Sequence, residues 1–115
     1  MSSYYIKVLL LENCYYSDSA YKLLLKHNIP NQIIKVSNNN KELYKKSDIS
    51  TFPQLYLNKY NKKDNLLLGG YDDLNEFIKM FKNVELNQNN INKFMKKYNW
   101  SKKATLRLIE LINLK

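Results

Sequence analysis

The order in which the apolar pattern changes period is what most constrains this chain. Tyr4 to Leu11 is β-branched and apolar enough for a central strand. Cys14 to Ser17 interrupts it. Ala20, Leu23, Leu24 and His27 then recur at helical spacing over Ser17 to His27, until Asn28 and Pro30 stop the helix. Gln32 to Val36 is a short β-prone run. Asn38 to Asn40 form a turn, and Asn40 can cap a helix over Lys41 to Ser47. Thr51-Phe52-Pro53 opens a strand over Gln54 to Asn58, a place where proline costs no ladder bond. Asn61 to Asp64 is a polar turn, Asn65 to Leu68 a fourth strand, and Gly69-Gly70 a break. Asp72 or Asp73 then caps a helix carrying Leu74, Phe77, Ile78 and Phe81. The order βαβα then ββα gives a parallel pair joined by a crossover helix, followed by a hairpin and a helix. The expected class is α/β, a four-stranded mixed sheet with helices on both faces, filling residues 1–83.

Residues 84–115 form a separate, basic helical extension in this reading. Asn87 to Asn92 is a polar connection, Ile91 to Tyr98 a short helix, and Ser101 the cap of a second helix through Leu114. Ala104, Leu108, Leu111, Ile112 and Lys115 share one side of that helix, and Trp100 is the expected anchor of the extension on the core. The formal net charge is +9 over 115 residues. Residues 1–83 carry twelve lysines against eight acids, and residues 84–115 carry seven basic residues against two acids. A basic surface attracts anions, small ones or large. Specific nucleic-acid recognition leans on arginine forks, and Arg107 is the sole arginine, so nucleic acid is not an expected partner. No apolar run approaches the roughly 18 residues of a membrane span, and Met1 to Tyr5 carries no secretory pattern. A membrane is therefore not expected as a partner, and a reducing, cytoplasmic setting is the expectation.

One cysteine excludes an intramolecular disulfide, and Cys14 with His27 is too small a soft-ligand set for zinc. Cys14 follows a strand and begins a helix. Free N–H groups and the positive end of the helix dipole favour a thiolate there, and the thiolate is the nucleophile of thiol–disulfide exchange. Ser17, three residues on, can reach the sulfur. The same cysteine also reads as a buried, inert thiol. Pro53 reads as an ordinary trans proline or as a cis one that turns the Phe52 backbone toward an extended ligand. Gly69-Gly70-Tyr71-Asp72-Asp73 reads as a capped strand–helix junction or as a loop that lets backbone approach a carboxylate. His27, near a helix end, reads as a surface residue matched to the helix dipole. Asn99-Trp100-Ser101 fits a glycosylation sequon but is expected to be silent.

Taken together, Cys14-Tyr15-Tyr16-Ser17, Thr51-Phe52-Pro53-Gln54 and Gly69-Gly70-Tyr71-Asp72-Asp73-Leu74 resemble the glutaredoxin family of the thioredoxin superfamily, over residues 4–82. The resemblance implies that Cys14 is the nucleophile and that Tyr16 lines a glutathione groove. It implies that Thr51, Phe52 and a cis Pro53 meet the cysteinyl part of the tripeptide. Gly70, Asp72 and Asp73 would hold its γ-glutamyl end. Ser17 stands where dithiol members carry a second cysteine, so the chain resembles monothiol members at that position. Leu11, followed by Glu12, stands where the resemblance implies a basic residue that pairs with the glycine carboxylate of glutathione, with Lys7, Lys45 or Lys46 as substitutes, so activity is expected to be low.

The expectation is a glutathione-dependent thiol–disulfide oxidoreductase acting on glutathionylated or disulfide-bearing proteins, with glutathione as co-substrate and no metal ligands. Two alternatives stand beside it. One is a carrier in which Cys14 and glutathione bridge a [2Fe–2S] cluster between two subunits, crowded by Tyr15. The other is a non-catalytic interaction module that presents the basic extension.

Overall fold

Ile6 and Val8 are fully buried and Leu9 nearly so, which makes the first strand an inner one. The computed structural model describes residues 3–63 and 65–114. Its strands are β1 (Tyr4–Leu11), β2 (Asn31–Val36), β3 (Gln54–Lys59) and β4 (Asn65–Gly69). They form one sheet in the order β2-β1-β3-β4. β1 runs parallel to β2 and antiparallel to β3, with Val8 opposite Ile33 and Leu55. β3 and β4 pair antiparallel with a register shift at Leu55/Tyr56. The helices are α1 (Tyr15–Lys26), α2 (Tyr71–Phe81), α3 (Gln88–Tyr98) and α4 (Lys102–Ile112). This is the expected mixed sheet with flanking and C-terminal helices, a thioredoxin-like architecture.

The pleat sorts side chains between two clusters. Ile6, Val8, Leu55, Leu57 and Leu68 pack with Leu24 of α1, Phe77 of α2, Phe94 of α3 and Leu108 of α4. Leu9, Val36 and Tyr56 on the opposite face pack only with strand neighbours, Tyr44 and Phe52. All four α-helices therefore cover one face, and the expectation of helices on both faces is corrected. The missing cover is the helix expected over Lys41 to Ser47, which is a single 3-10 turn, Lys41–Tyr44, with no buried residue. Leu43 is 80% exposed, so the run has no apolar stripe to repay helix nucleation. Asn40 makes no side-chain cap there.

α3 begins at Gln88, earlier than the polar composition suggested, because the Asn87 side chain accepts from the Asn89 and Asn90 amides. Ser101 caps α4 by accepting from Ala104. That helix ends at Ile112, where the Asn113 side-chain NH2 donates to the carbonyls of Phe81 and Ile109. Trp100 is the anchor expected of it: it is buried, and its indole N–H donates to the Leu67 carbonyl at 3.0 Å. Asp64 of the predicted turn and Lys115 of the predicted helix stripe lie outside the described residues.

Candidate functional site

Strand direction builds the site. Because β1 and β3 are antiparallel, the C-terminal end of β1 lies beside the N-terminal end of β3, where Leu9 pairs with Gln54. The β3–β4 pairing brings Gly69 to the same end, opposite Leu55. Cys14, Pro53 and Gly70 thus follow or precede strand ends at a single edge of the sheet.

Cys14 is a free, half-buried cysteine and the N-cap residue of α1. Asn13, in the left-handed region at φ 54°, makes the turn out of β1. The Cys14 carbonyl accepts the first helical bond from Asp18 at 3.0 Å. Cys14 therefore stands at the positive end of the α1 dipole, and its side chain takes no capping hydrogen bond from the helix. Ser17 is fully buried, and its Oγ accepts the Leu11 amide at 3.0 Å. Among the described residues no hydrogen bond joins Ser17 to the sulfur, so the structure brings it to the strand–helix junction instead.

Tyr15 and Tyr16 are exposed at 77% and 56%. The Tyr16 ring lies 6.2 Å from that of Tyr71, so the first turns of α1 and α2 face each other across the site. The Phe52–Pro53 bond is cis. Pro53 is buried, Phe52 half-buried and Thr51 exposed, all ahead of the sheet ladder. Gln54, whose part could not be read from the sequence, holds this segment. It is fully buried, donates to the Tyr44 carbonyl at 2.9 Å and accepts from the Tyr56 hydroxyl at 2.9 Å.

At the third motif Gly69 has φ +134°, and a Cβ there would sit 2.1 Å from Asp73 Oδ2, so only glycine fits. The expected cap is corrected. Gly70 is the N-cap residue of α2, and Asp73 reaches back from the first turn to accept the Gly70 amide at 2.8 Å. Asp72 is exposed in the same turn. Asp73 Oδ1 accepts the Tyr98 hydroxyl at 2.5 Å. Sequence reasoning missed this contact, since no local pattern joins residues 25 positions apart. Burial, then the hydrogen bond and charge of Asp73, push the Tyr98 phenol far above its ordinary value.

Glu12 does not join the site. Its Oε1 accepts the Asn38 amide at 2.8 Å, on the β2 side of β1, away from β3 and β4. Leu11 packs in the small cluster on the helix-free face. Of the possible basic substitutes, Lys45 pairs with Glu42 at the surface and Lys7 lies mid-strand opposite Tyr56. Lys46 lies 4.8 Å over the ring of Tyr56, whose hydroxyl bonds Gln54 beside Pro53. A [2Fe–2S] cluster needs four thiolate-like ligands, and this chain has one thiol. Among the described residues no three His, Cys, Asp or Glu side chains gather. The donors of this chain alone do not fit a cluster.

Residues 3–60, half of the chain, match the family model for glutaredoxin. The match spans Cys14, Tyr16, Ser17 and Thr51 to Pro53, and ends before Gly70, Asp72 and Asp73. The curated proteins give no match. No helix among the described residues is long and apolar enough to cross a membrane.

Proposed function

Because the chain belongs to the glutaredoxin family, we propose that it is a glutathione-dependent thiol–disulfide oxidoreductase working through one thiol, that of Cys14. The observation that carries this reading is the convergence of a half-buried Cys14 at the N-terminus of α1 with Pro53 and Gly70 at one end of the sheet. Cys14 thiolate attacks the glutathione sulfur of a mixed disulfide. The Cys14–glutathione disulfide forms, the substrate–glutathione disulfide breaks, and the substrate thiolate leaves and takes a proton from water. A second glutathione, as thiolate, attacks the adduct. Glutathione disulfide leaves and Cys14 returns as thiolate. No second cysteine exists to resolve the adduct within the chain.

The groove contributes positioning, which aligns three sulfurs for displacement. In this reading the Phe52 backbone beside Pro53 takes the cysteinyl part of the tripeptide, Tyr16 walls the groove, and Gly70, Asp72 and Asp73 take the γ-glutamyl end. Ser17 acts on the fold rather than on sulfur. The test is turnover of a glutathionylated peptide with glutathione, by the wild type and Cys14→Ser. Turnover by the wild type alone is the expected result. Absence of glutathione-dependent turnover in the wild type sinks the enzyme reading and leaves an interaction module.

A further inference from the structure

We propose that Tyr98, supplied by the C-terminal extension, is a positioning residue that fixes Asp73 for the γ-glutamyl end of glutathione. The inference rests on the reading of Gly70, Asp72 and Asp73 given above. Asp73 is held at both oxygens. Oδ2 accepts the Gly70 amide at 2.8 Å and Oδ1 accepts the Tyr98 hydroxyl at 2.5 Å. The first bond is local to the helix start. The second crosses from a segment that the family match does not reach.

Tyr98 is itself held firmly. Its ring lies 4.5 Å from that of Phe94, which is buried in the main core. Asn99 ends α3 in the left-handed conformation at φ 56°, and turns the chain so that Trp100 follows with its N–H on the Leu67 carbonyl. Two nearly adjacent side chains thus grip β4 and α2 on either side of the Gly69–Gly70 turn. The raised Tyr98 phenol keeps its proton and remains a donor throughout the neutral range.

A carboxylate has four acceptor positions, so Asp73 can still receive an ammonium group after both bonds are made. Held at one oxygen only, it must be ordered when the ligand binds. Held at both, that ordering has already occurred, and such preorganisation is worth about three- to tenfold in affinity for one side chain. The effect belongs to the γ-glutamyl group and to no other part of the reaction.

The experiment compares wild type and Tyr98→Phe on one peptide carrying either a glutathione or a cysteinylglycine mixed disulfide, the latter lacking the γ-glutamyl group, with reduced glutathione saturating. Tyr98→Phe is expected to raise the KM for the glutathionylated peptide about three- to tenfold, with kcat and the rate on the cysteinylglycine-bearing peptide each within about twofold. An unchanged KM for the glutathionylated peptide in an active protein overturns the inference and leaves the enzyme reading intact. Equal losses with both peptides also overturn it, because they mark a general structural role. If the wild type turns over no glutathionylated peptide and binds no glutathione by calorimetry, the reading of the site fails and the inference fails with it.

Discussion

Ser17 has its hydroxyl oxygen engaged by the Leu11 amide inside a fully buried junction. Replacing it with alanine leaves that amide without its partner, which costs about 1–3 kcal/mol. Urea denaturation of Ser17→Ala is expected to report a loss of that size, with the KM for glutathione little changed. A thiol-supporting Ser17 would instead change the reaction first. His27 differs from its expectation at the same scale. It caps the C-terminus of α1, where a helix dipole favours the cation. Yet burial, then the charges of Lys26 and Lys82, lower its pKa below the ordinary 6.5. The unfolded chain therefore binds the His27 proton more readily than the folded one. Its contribution to stability is complete above pH 6.5 and is lost as pH falls from there through the lower folded value. Thermal melts of wild type and His27→Gln are expected to separate in that window, the wild type falling more steeply on acidification.

Elements were legible in the sequence where an apolar stripe had somewhere to go. The strand Tyr4–Leu11 was readable to the residue, and Leu74, Phe77, Ile78 and Phe81 are all buried on α2. Lys41–Tyr44 misled because a good cap preceded a stretch with no apolar stripe to bury. α3 was read too short because asparagine-rich composition hides a helix whose first turn is held by one of those asparagines. At the site, the resemblance of the three motifs implied one shared groove, but the partners of Ser17 and Glu12, and the Tyr98 bond of Asp73, were not readable. These hydrogen bonds are set by tertiary placement, and residue spacing carries no record of them. Trp100 belongs to this scale too, since it covers the outer edge of β4 and joins the main core. Trp100→Ala is expected to cost about 3–5 kcal/mol by denaturant titration. Trp100→Phe, which loses the indole N–H and part of the ring volume, is expected to cost less, about 1–3 kcal/mol.

In the whole molecule the extension and the sheet share one apolar core. Ile91, Phe94, Trp100, Leu108, Leu111 and Ile112 pack in the cluster that holds Ile6, Val8 and Phe77. The Lys82 ammonium donates to the Ile112 carbonyl at 2.6 Å, and the Asn113 side chain accepts the Asn83 amide at 2.8 Å. A chain ending at Asn83 exposes this surface on the face that the α-helices cover. It is expected to lose cooperative unfolding, as circular dichroism during thermal melting would report. Retention of a sharp transition would make the extension an appendage. The chemistry rests on the Cys14 sulfur at the N-terminus of α1. Intact-mass spectrometry of the full chain after incubation with glutathione disulfide reads whether that sulfur exchanges. One glutathione is expected on Cys14, removed on adding reduced glutathione and absent in Cys14→Ser. A chain that stays unmodified while an unstructured cysteine peptide is readily converted under the same conditions would contradict it.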